Sequence, residues 1–291
     1  MAWPNKKNEN ISFIKNMTRS SITLFLLLFP LLLYSQEPFY LELVKAEARL
    51  ESMFDRLYSD SLSEKEPLLD SLRSGLREAL SMQGSMEFPW SRLDKIGIIT
   101  SEDLQVRIFT WHVMDDYDHF RYFGFIQVGL KKGKSRLYEL KDNGKAQRGL
   151  FKLDQSGEDW YGKLYYQVLT NKYKRKTYYT ILGMDFNNSL STIKTVEVIT
   201  IQRNAPYFVE SLFYNGREKV DRLVLEYSKQ VAISVRFDQG TGMITFDHLV
   251  PFHPIYEKNY EFYGPDGSFD GLEFSDGYWN YRDDIDARNI N

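Results

Sequence analysis

The stretch Val231-Ala-Ile-Ser-Val-Arg-Phe-Asp-Gln-Gly-Thr-Gly-Met-Ile-Thr-Phe246 decides the fold. Apolar side chains recur in it at every second position, on either side of a glycine-rich turn: Val231, Ile233, Val235 and Phe237, then Ile244 and Phe246. Residues two apart share one face of a β-strand, so each run predicts a strand with one buried face. Gln239–Gly242 supplies the turn residues between them. The stretch therefore predicts an antiparallel hairpin.

The same period returns through most of the chain from Leu104 onward. Its members are Leu104, Val106 and Ile108; Phe120, Tyr122, Ile126 and Val128; Leu164, Tyr166 and Val168; and Tyr178, Thr180, Leu182 and Met184. Turn signals separate these runs at Asn143-Gly144, Asn215-Gly216 and Gly264-Pro-Asp-Gly267. Short connections imply antiparallel pairing. We predict a mainly β domain over residues 86–291, an antiparallel meander that forms a sandwich or an open barrel.

Leucines at helical spacing dominate the region before this domain. Leu43, Leu50 and Leu57 recur every seven residues, and Leu72 and Leu76 continue the pattern after an interruption near Ser59. Apolar residues at this spacing form one stripe along a helix. We therefore predict an α-helical hairpin over residues 36–85.

An uncharged apolar run, Ile22–Leu33, lies near the start of the chain. It is too short to span a bilayer, which takes about 20 apolar residues. Basic residues before it and the small Ser35 after it are typical of a signal peptide. We predict that residues 1–35 are a signal peptide and that the protein is exported to the periplasm, the outer membrane or the cell surface. The alternative is an uncleaved anchor, which would then be the protein's membrane contact.

The composition limits the partners and the source of stability. The chain has 291 residues, of which 43% are hydrophobic and none is cysteine, so burial of apolar surface has to stabilise the fold without disulfides. Removal of the predicted leader takes away four basic residues and one acidic residue and leaves a net charge of −6. Such a balance argues against nucleic acid as a partner.

Two histidines and several aspartates occur close together between Trp111 and Phe120. Imidazole and carboxylate groups bind zinc or manganese, so His112, Asp116, Asp118 and His119 are candidate ligands of a divalent metal. A solvated loop between two strands has the same composition. The spacing matches no specific metal motif, and no cofactor is otherwise predicted.

Tyrosines concentrate around one predicted hairpin, beside the basic segment Lys172–Lys176. Tyrosine is favoured at interfaces and its ring stacks on sugars, so Tyr165, Tyr173 and Tyr179 are candidate residues for binding a protein or glycan. The alternative is packing between neighbouring strands. The basic segment suits either a solvated turn or a contact with glycans or anionic lipid.

Several segments together resemble a family of uncharacterised exported proteins from Gram-negative bacteria of the Bacteroidetes group. The resemblance rests on Val106-Arg-Ile-Phe-Thr-Trp111, Tyr122-Phe-Gly-Phe-Ile-Gln127, Trp160-Tyr-Gly-Lys-Leu-Tyr-Tyr166, Tyr178-Tyr-Thr-Ile-Leu-Gly183, Phe246-Asp-His-Leu249, Tyr263-Gly-Pro-Asp-Gly267 and Asp286-Ala-Arg-Asn289. It implies an exported protein and no assigned activity. Asp60-Ser61-Leu62 is similar to the short pattern that such bacteria O-glycosylate, which makes Ser61 a candidate glycosylation site.

The chain contains no nucleophile elbow, phosphate loop, dinucleotide fingerprint or zinc-protease helix. We therefore predict a non-catalytic exported protein that binds a protein or glycan partner in the cell envelope. The alternative is a metal-assisted hydrolase in which a cation near His112 and His119 activates water.

Overall fold

The computed structural model describes residues 37–59, 65–115, 119–142 and 157–286. Two helices come first, α1 over Glu37–Ser59 and α2 over Lys65–Ser81. Three sheets follow them, and all pairings within the sheets are antiparallel except one. Among the described residues, no helix combines the length and the apolar character needed to cross a membrane.

Sheet 1 is a meander of four strands, paired in chain order. Its strands are β1 (Gly97–Thr100), β2 (Val106–Met114), β3 (Phe120–Gly129) and β4 (Ser135–Leu140).

Sheet 2 lies in the middle of the molecule, with strand order β11-β7-β6-β5 and with β8 paired to the other end of β7. Its strands are β5 (Leu164–Tyr173), β6 (Lys176–Asp185), β7 (Ser191–Gln202), β8 (Ala205–Phe208) and β11 (Leu223–Ser228).

Sheet 3 has the order β10-β9-β15-β14-β13-β12, with β15 and β9 parallel. Its strands are β9 (Phe213–Tyr214), β10 (Lys219–Val220), β12 (Val235–Asp238), β13 (Met243–Pro251), β14 (Tyr263–Ser275) and β15 (Tyr278–Arg282).

Three apolar clusters hold these elements together in layers. The first lies between the helices and one face of sheet 1, where the rings of Phe54 and Trp111 meet edge to face at 5.9 Å. The second joins the other face of sheet 1 to sheet 2, through residues such as Ile108 and Ile181. The third joins sheet 2 to sheet 3, through residues such as Val196 and Ile244. Sheet 2 is therefore covered on both faces.

The predicted fold class is confirmed: the protein is mainly β, with two helices before the β region. The hairpin between Val235 and Phe246 has the predicted turn, with Phe237 opposite Ile244. The helices pack on sheet 1 through their leucine stripes. The alternation of side chains did not predict that the strands would form three stacked sheets.

Local predictions differ from the structure at three places. Leu104 precedes the first long strand with a φ of 55° and an exposed side chain, and Val231 precedes β12. Gly264–Gly267 is not a turn but lies inside β14, where Gly264 and Pro265 pair with Val250 and Leu249. The register shifts between Asp247 and Leu249, so that β14 has more residues than β13 at this point. The turn-forming residues therefore lie at an irregularity within a strand. The predicted Asn143-Gly144 turn lies outside the described residues.

Candidate functional site

His112 lies on β2 in an aromatic environment. Its ring centroid is 5.1 Å from that of Phe186 and 5.5 Å from that of Phe120. Burial lowers the pKa of the imidazole, so the neutral form is favoured. His119 is exposed just before β3, with its Nδ1 3.5 Å from Asp115 Oδ2.

The register of sheet 1 separates these two histidines. His112 pairs with Tyr122. His119 lies just before the strand and is exposed, whereas His112 is packed among the rings of Phe120 and Phe186. Asp116 and Asp118 lie outside the described residues, as does Ser61. No group of three or more candidate ligands occurs in the described part of the chain, and the metal site remains a prediction.

The three candidate tyrosines occupy different environments. Tyr165 and Tyr179 are 1% and 3% exposed and belong to the core between sheets 1 and 2. Tyr173 is half-buried at the end of β5, with Lys174 Nζ 5.0 Å from its ring centroid. Of the three, Tyr173 is therefore the one whose ring reaches the surface.

A groove of about 510 Å³ lies beside this tyrosine-rich hairpin. It is formed where the turn between β5 and β6 meets the end of β7 and the segment after β8. Its lining is Arg175, Lys176, Thr177, Tyr178, Tyr179, Thr200, Ile201, Gln202, Val209 and Leu212. We call it the hairpin groove.

Hydrogen bonds and ring contacts fix the walls of the hairpin groove. Tyr179 donates its hydroxyl to Asp103 Oδ2 at 2.9 Å, and Thr200 donates to the carbonyl of Thr177 at 3.0 Å. Burial, and then the bond to Asp103, raise the pKa of Tyr179, so its hydroxyl stays protonated. The Tyr178 ring packs at 6.0 Å on Phe274. The groove is thus built from residues held in place without a ligand.

Two cations remain available at the hairpin groove. Arg175 and Lys176 are exposed, and neither forms an ion pair within the described ranges. Hydroxyl and amide groups of Thr177, Thr200 and Gln202 lie beside them. Arg175, Lys176, Thr177 and Gln202 can donate hydrogen bonds to an anionic or hydroxyl-rich ligand, while Thr200, whose proton goes to the carbonyl of Thr177, can accept one.

A second polar arrangement is closed to solvent between sheets 1 and 2. Lys163 Nζ lies 3.0 Å from Glu197 Oε2, and Arg222 Nη2 lies 3.3 Å from the same oxygen. Tyr165 donates its hydroxyl to Glu197 Oε1 and accepts a 2.9 Å bond from Trp160 Nε1. We call these residues the buried charge cluster.

Burial and charge act against each other in this cluster. Burial, with the repulsion of Arg222, lowers the pKa of Lys163 to about 8. For Glu197 burial favours the protonated form, but Lys163 and Arg222 outweigh it and lower the pKa. Both side chains have no exposed surface, so the two charges are compensated within the protein and not by solvent.

Sequence reasoning missed this cluster, although one signal for it was present. Glu197 is a charged residue inside the apolar run of β7, between Val196 and Val198. A buried carboxylate requires a cation. The sequence did not show that Lys163 and Arg222 would supply the positive charge.

A third polar arrangement lies on sheet 3. His248 Nδ1 is 2.7 Å from Asp270 Oδ2, and Tyr281 donates its hydroxyl to the same carboxylate. The bond to Asp270 raises the pKa of His248, against the opposite effect of burial. His248 is at the β-bulge, and its side chain is 41% exposed. It is an imidazole oriented by a carboxylate at the surface.

Comparisons with family models, curated proteins and solved structures find no match for this chain. The choice of a candidate site rests on the structure alone. We take the hairpin groove as that site because it is concave and is lined by cations, hydroxyl groups and a tyrosine ring.

Proposed function

We propose that this protein is an exported, non-catalytic component of the cell envelope that binds an acidic glycan in the hairpin groove. The observation that carries the proposal is the presence of Arg175 and Lys176 in a groove that Tyr178 and several hydroxyl groups also line. Cations bind carboxylate or phosphate groups, and an aromatic ring provides a face for the apolar side of a sugar.

The size and chemistry of the groove favour a glycan over a protein partner. A volume of about 510 Å³ is in the range of sites for small ligands. A protein interface usually presents a larger surface, with a core depleted in charged residues. One or two sugar units fit the smaller space.

Export is the second part of the proposal, and the sequence supports it. The leader Ile22–Leu33, with basic residues before it and the small Ser35 after it, suits a chain that crosses the inner membrane. We expect the protein isolated from its native cells to begin at Gln36. A protein that retains its leader in the cytosolic fraction would contradict this part.

Glycan binding is tested with an array of neutral and acidic glycans, followed by calorimetric titration of those retained. The double variant Arg175→Gln/Lys176→Gln removes both cations. Because a hydrogen bond to a charged group contributes about 1.5–3 kcal/mol, affinity should fall at least about tenfold.

The matched control is Lys131→Gln/Lys132→Gln, which removes two charges from another exposed turn. We expect its affinity to equal that of the wild type. Failure of the protein to bind any acidic glycan, or an equal loss in both double variants, would contradict the proposal.

A further inference from the structure

The first turn of α1 exposes an unusual amount of apolar surface. Phe39, Tyr40 and Leu41 follow one another and are 50%, 56% and 54% exposed. The Tyr40 ring packs at 5.4 Å on Phe88, whose own side chain is buried. Phe39 and Tyr40 both line the same cleft beside Phe88, so their exposed side chains form one apolar patch at the start of the helix.

A lysine-rich turn borders this patch. Phe39 and Tyr40 line a cleft of about 620 Å³ together with Lys132 and Gly133. Gly84 of the neighbouring segment donates its N–H to the carbonyl of Gly133 at 3.3 Å, which fixes the turn beside the cleft.

The charge around the cleft is positive on balance. Lys131, Lys132 and Lys134 are exposed, and none has an ion-pair partner in the described parts of the chain. Glu87 also lines the cleft and is the acidic group in its lining. On α1, Glu42 is already paired with Lys45 at 2.8 Å.

The position of the patch in the chain indicates what covers it. The uncharged run Ile22–Leu33 ends shortly before Phe39. During export that run lies at a membrane, so the first turn of α1 emerges beside the lipid headgroups.

From these observations we infer that Phe39, Tyr40, Lys131, Lys132 and Lys134 form a patch that docks on the surface of an anionic lipid bilayer. Aromatic and aliphatic side chains insert at the boundary between headgroups and acyl chains, while lysines bind anionic headgroups. The inference rests on the export proposed above, but the contact itself requires neither a retained leader nor the hairpin groove. It is reversible, because a patch of this size buries far less apolar surface than a spanning helix.

The test uses the chain from Gln36, the form expected after removal of the predicted leader, which keeps every described member of the three core clusters. Binding is measured by flotation with neutral phosphatidylcholine vesicles and with vesicles that also contain phosphatidylglycerol. We expect flotation with the anionic vesicles alone and its reduction in 0.5 M salt, since salt screens exposed charges.

Two variants separate the contributions. Lys131→Glu/Lys132→Glu/Lys134→Glu should weaken binding by at least about 100-fold, because each lysine near an anionic surface contributes roughly fivefold. Phe39→Ser/Tyr40→Ser should also abolish flotation, because the inserted side chains are lost. Both changes affect exposed residues, and circular dichroism checks that the fold is retained.

The matched controls carry the same changes elsewhere. Arg217→Glu/Lys229→Glu/Arg236→Glu reverses three exposed charges outside both the patch and the hairpin groove, and Leu190→Ser alters a side chain that is 52% exposed. Both should float like the wild type. Failure to bind anionic vesicles overturns the inference, and so does an equal loss in the controls. Equal binding to neutral vesicles overturns the role of the lysines.

Discussion

Glu197 is the residue on which the centre of the molecule depends most. It faces Lys163 and Arg222 with no exposed surface, and its second oxygen accepts from Tyr165. Removal of its charge leaves two buried cations without this carboxylate. The resulting loss of stability is larger than the net contribution of the ion pair, because a buried charge without its partner is poorly solvated.

The variant Glu197→Gln tests this dependence. We expect it to lower the free energy of unfolding by about 3–5 kcal/mol, as measured by urea denaturation at pH 7. The control Glu257→Gln removes the charge of an exposed glutamate and should change stability by less than about 0.5 kcal/mol.

A second variant identifies the cause of the loss. Adding Lys163→Met to Glu197→Gln removes one of the cations and should recover part of the stability. If Glu197→Gln is as stable as the control, then Glu197 is not the group that compensates the charges of Lys163 and Arg222.

At the scale of elements, β14 shows how turn residues can serve a strand. Gly264-Pro-Asp-Gly267 forms the irregular start of this strand opposite the bulge at His248. Gly267 has a φ of +95°, and a Cβ at this position would meet nothing within 4 Å. Backbone conformation alone therefore explains the glycine.

Substitution of Gly267 separates conformational strain from steric clash. Gly267→Val should cost about 1–2 kcal/mol because a β-branched residue resists positive φ. Gly267→Asn should cost clearly less, since asparagine tolerates that region. Thermal unfolding of the two variants measures the difference, and equal losses would show that strain is not the reason.

The alternation of side chains predicted most of the strands but not their assembly. The period of two located β2, β3, β6 and the hairpin of β12 and β13, because side chains two residues apart share one face of a strand. It could not divide the strands into three sheets, since that depends on contacts between distant parts of the chain. In β5 the bulge between Tyr165 and Gln167 interrupts the predicted alternation, so Tyr165 is buried and Tyr166 is 40% exposed.

The candidate site was predictable to a similar extent. The sequence indicated the tyrosine-rich hairpin with its basic turn, and the groove lies there. It did not show that Tyr179 would be fixed by Asp103, far away in the chain. Pairs of this kind arise from packing between sheets, which local patterns do not encode.

At the scale of the whole molecule, tyrosine burial predicts how stability depends on pH. Burial raises the pKa of Tyr58 to about 12. It also raises the pKa of these tyrosines: Tyr122, Tyr161, Tyr165, Tyr166, Tyr179, Tyr227 and Tyr281. In the unfolded chain they ionise near pH 10.

These shifts predict a steep loss of stability in alkali. A raised folded-state pKa gives stability that is complete below pH 10 and is lost as pH rises, by about 1.4 kcal/mol per pH unit for each fully buried tyrosine. The lowered pKa of Lys163 has the opposite effect: between about pH 8 and 10.5 it makes the folded state more stable as pH rises. It is one group against several tyrosines. Above pH 10 the tyrosines dominate.

Urea denaturation between pH 8 and 11, with absorbance at 295 nm to follow ionisation, checks this prediction. We expect the buried tyrosines to ionise together with the loss of far-ultraviolet circular dichroism. Reversible ionisation of all tyrosines near pH 10 in a folded protein would contradict it.

The double covering of sheet 2 has a consequence for the life of the chain before it folds. Ser191–Gln202 is buried along most of its length, and its β-branched residues give it a strong tendency to pair with other strands. A newly made chain exposes this segment until the two outer sheets have formed. If the protein crosses the inner membrane unfolded, a holding chaperone has to shield the segment on both sides of that passage. Lys194 and Glu197, which lie within the segment, act meanwhile as charged gatekeepers against self-association.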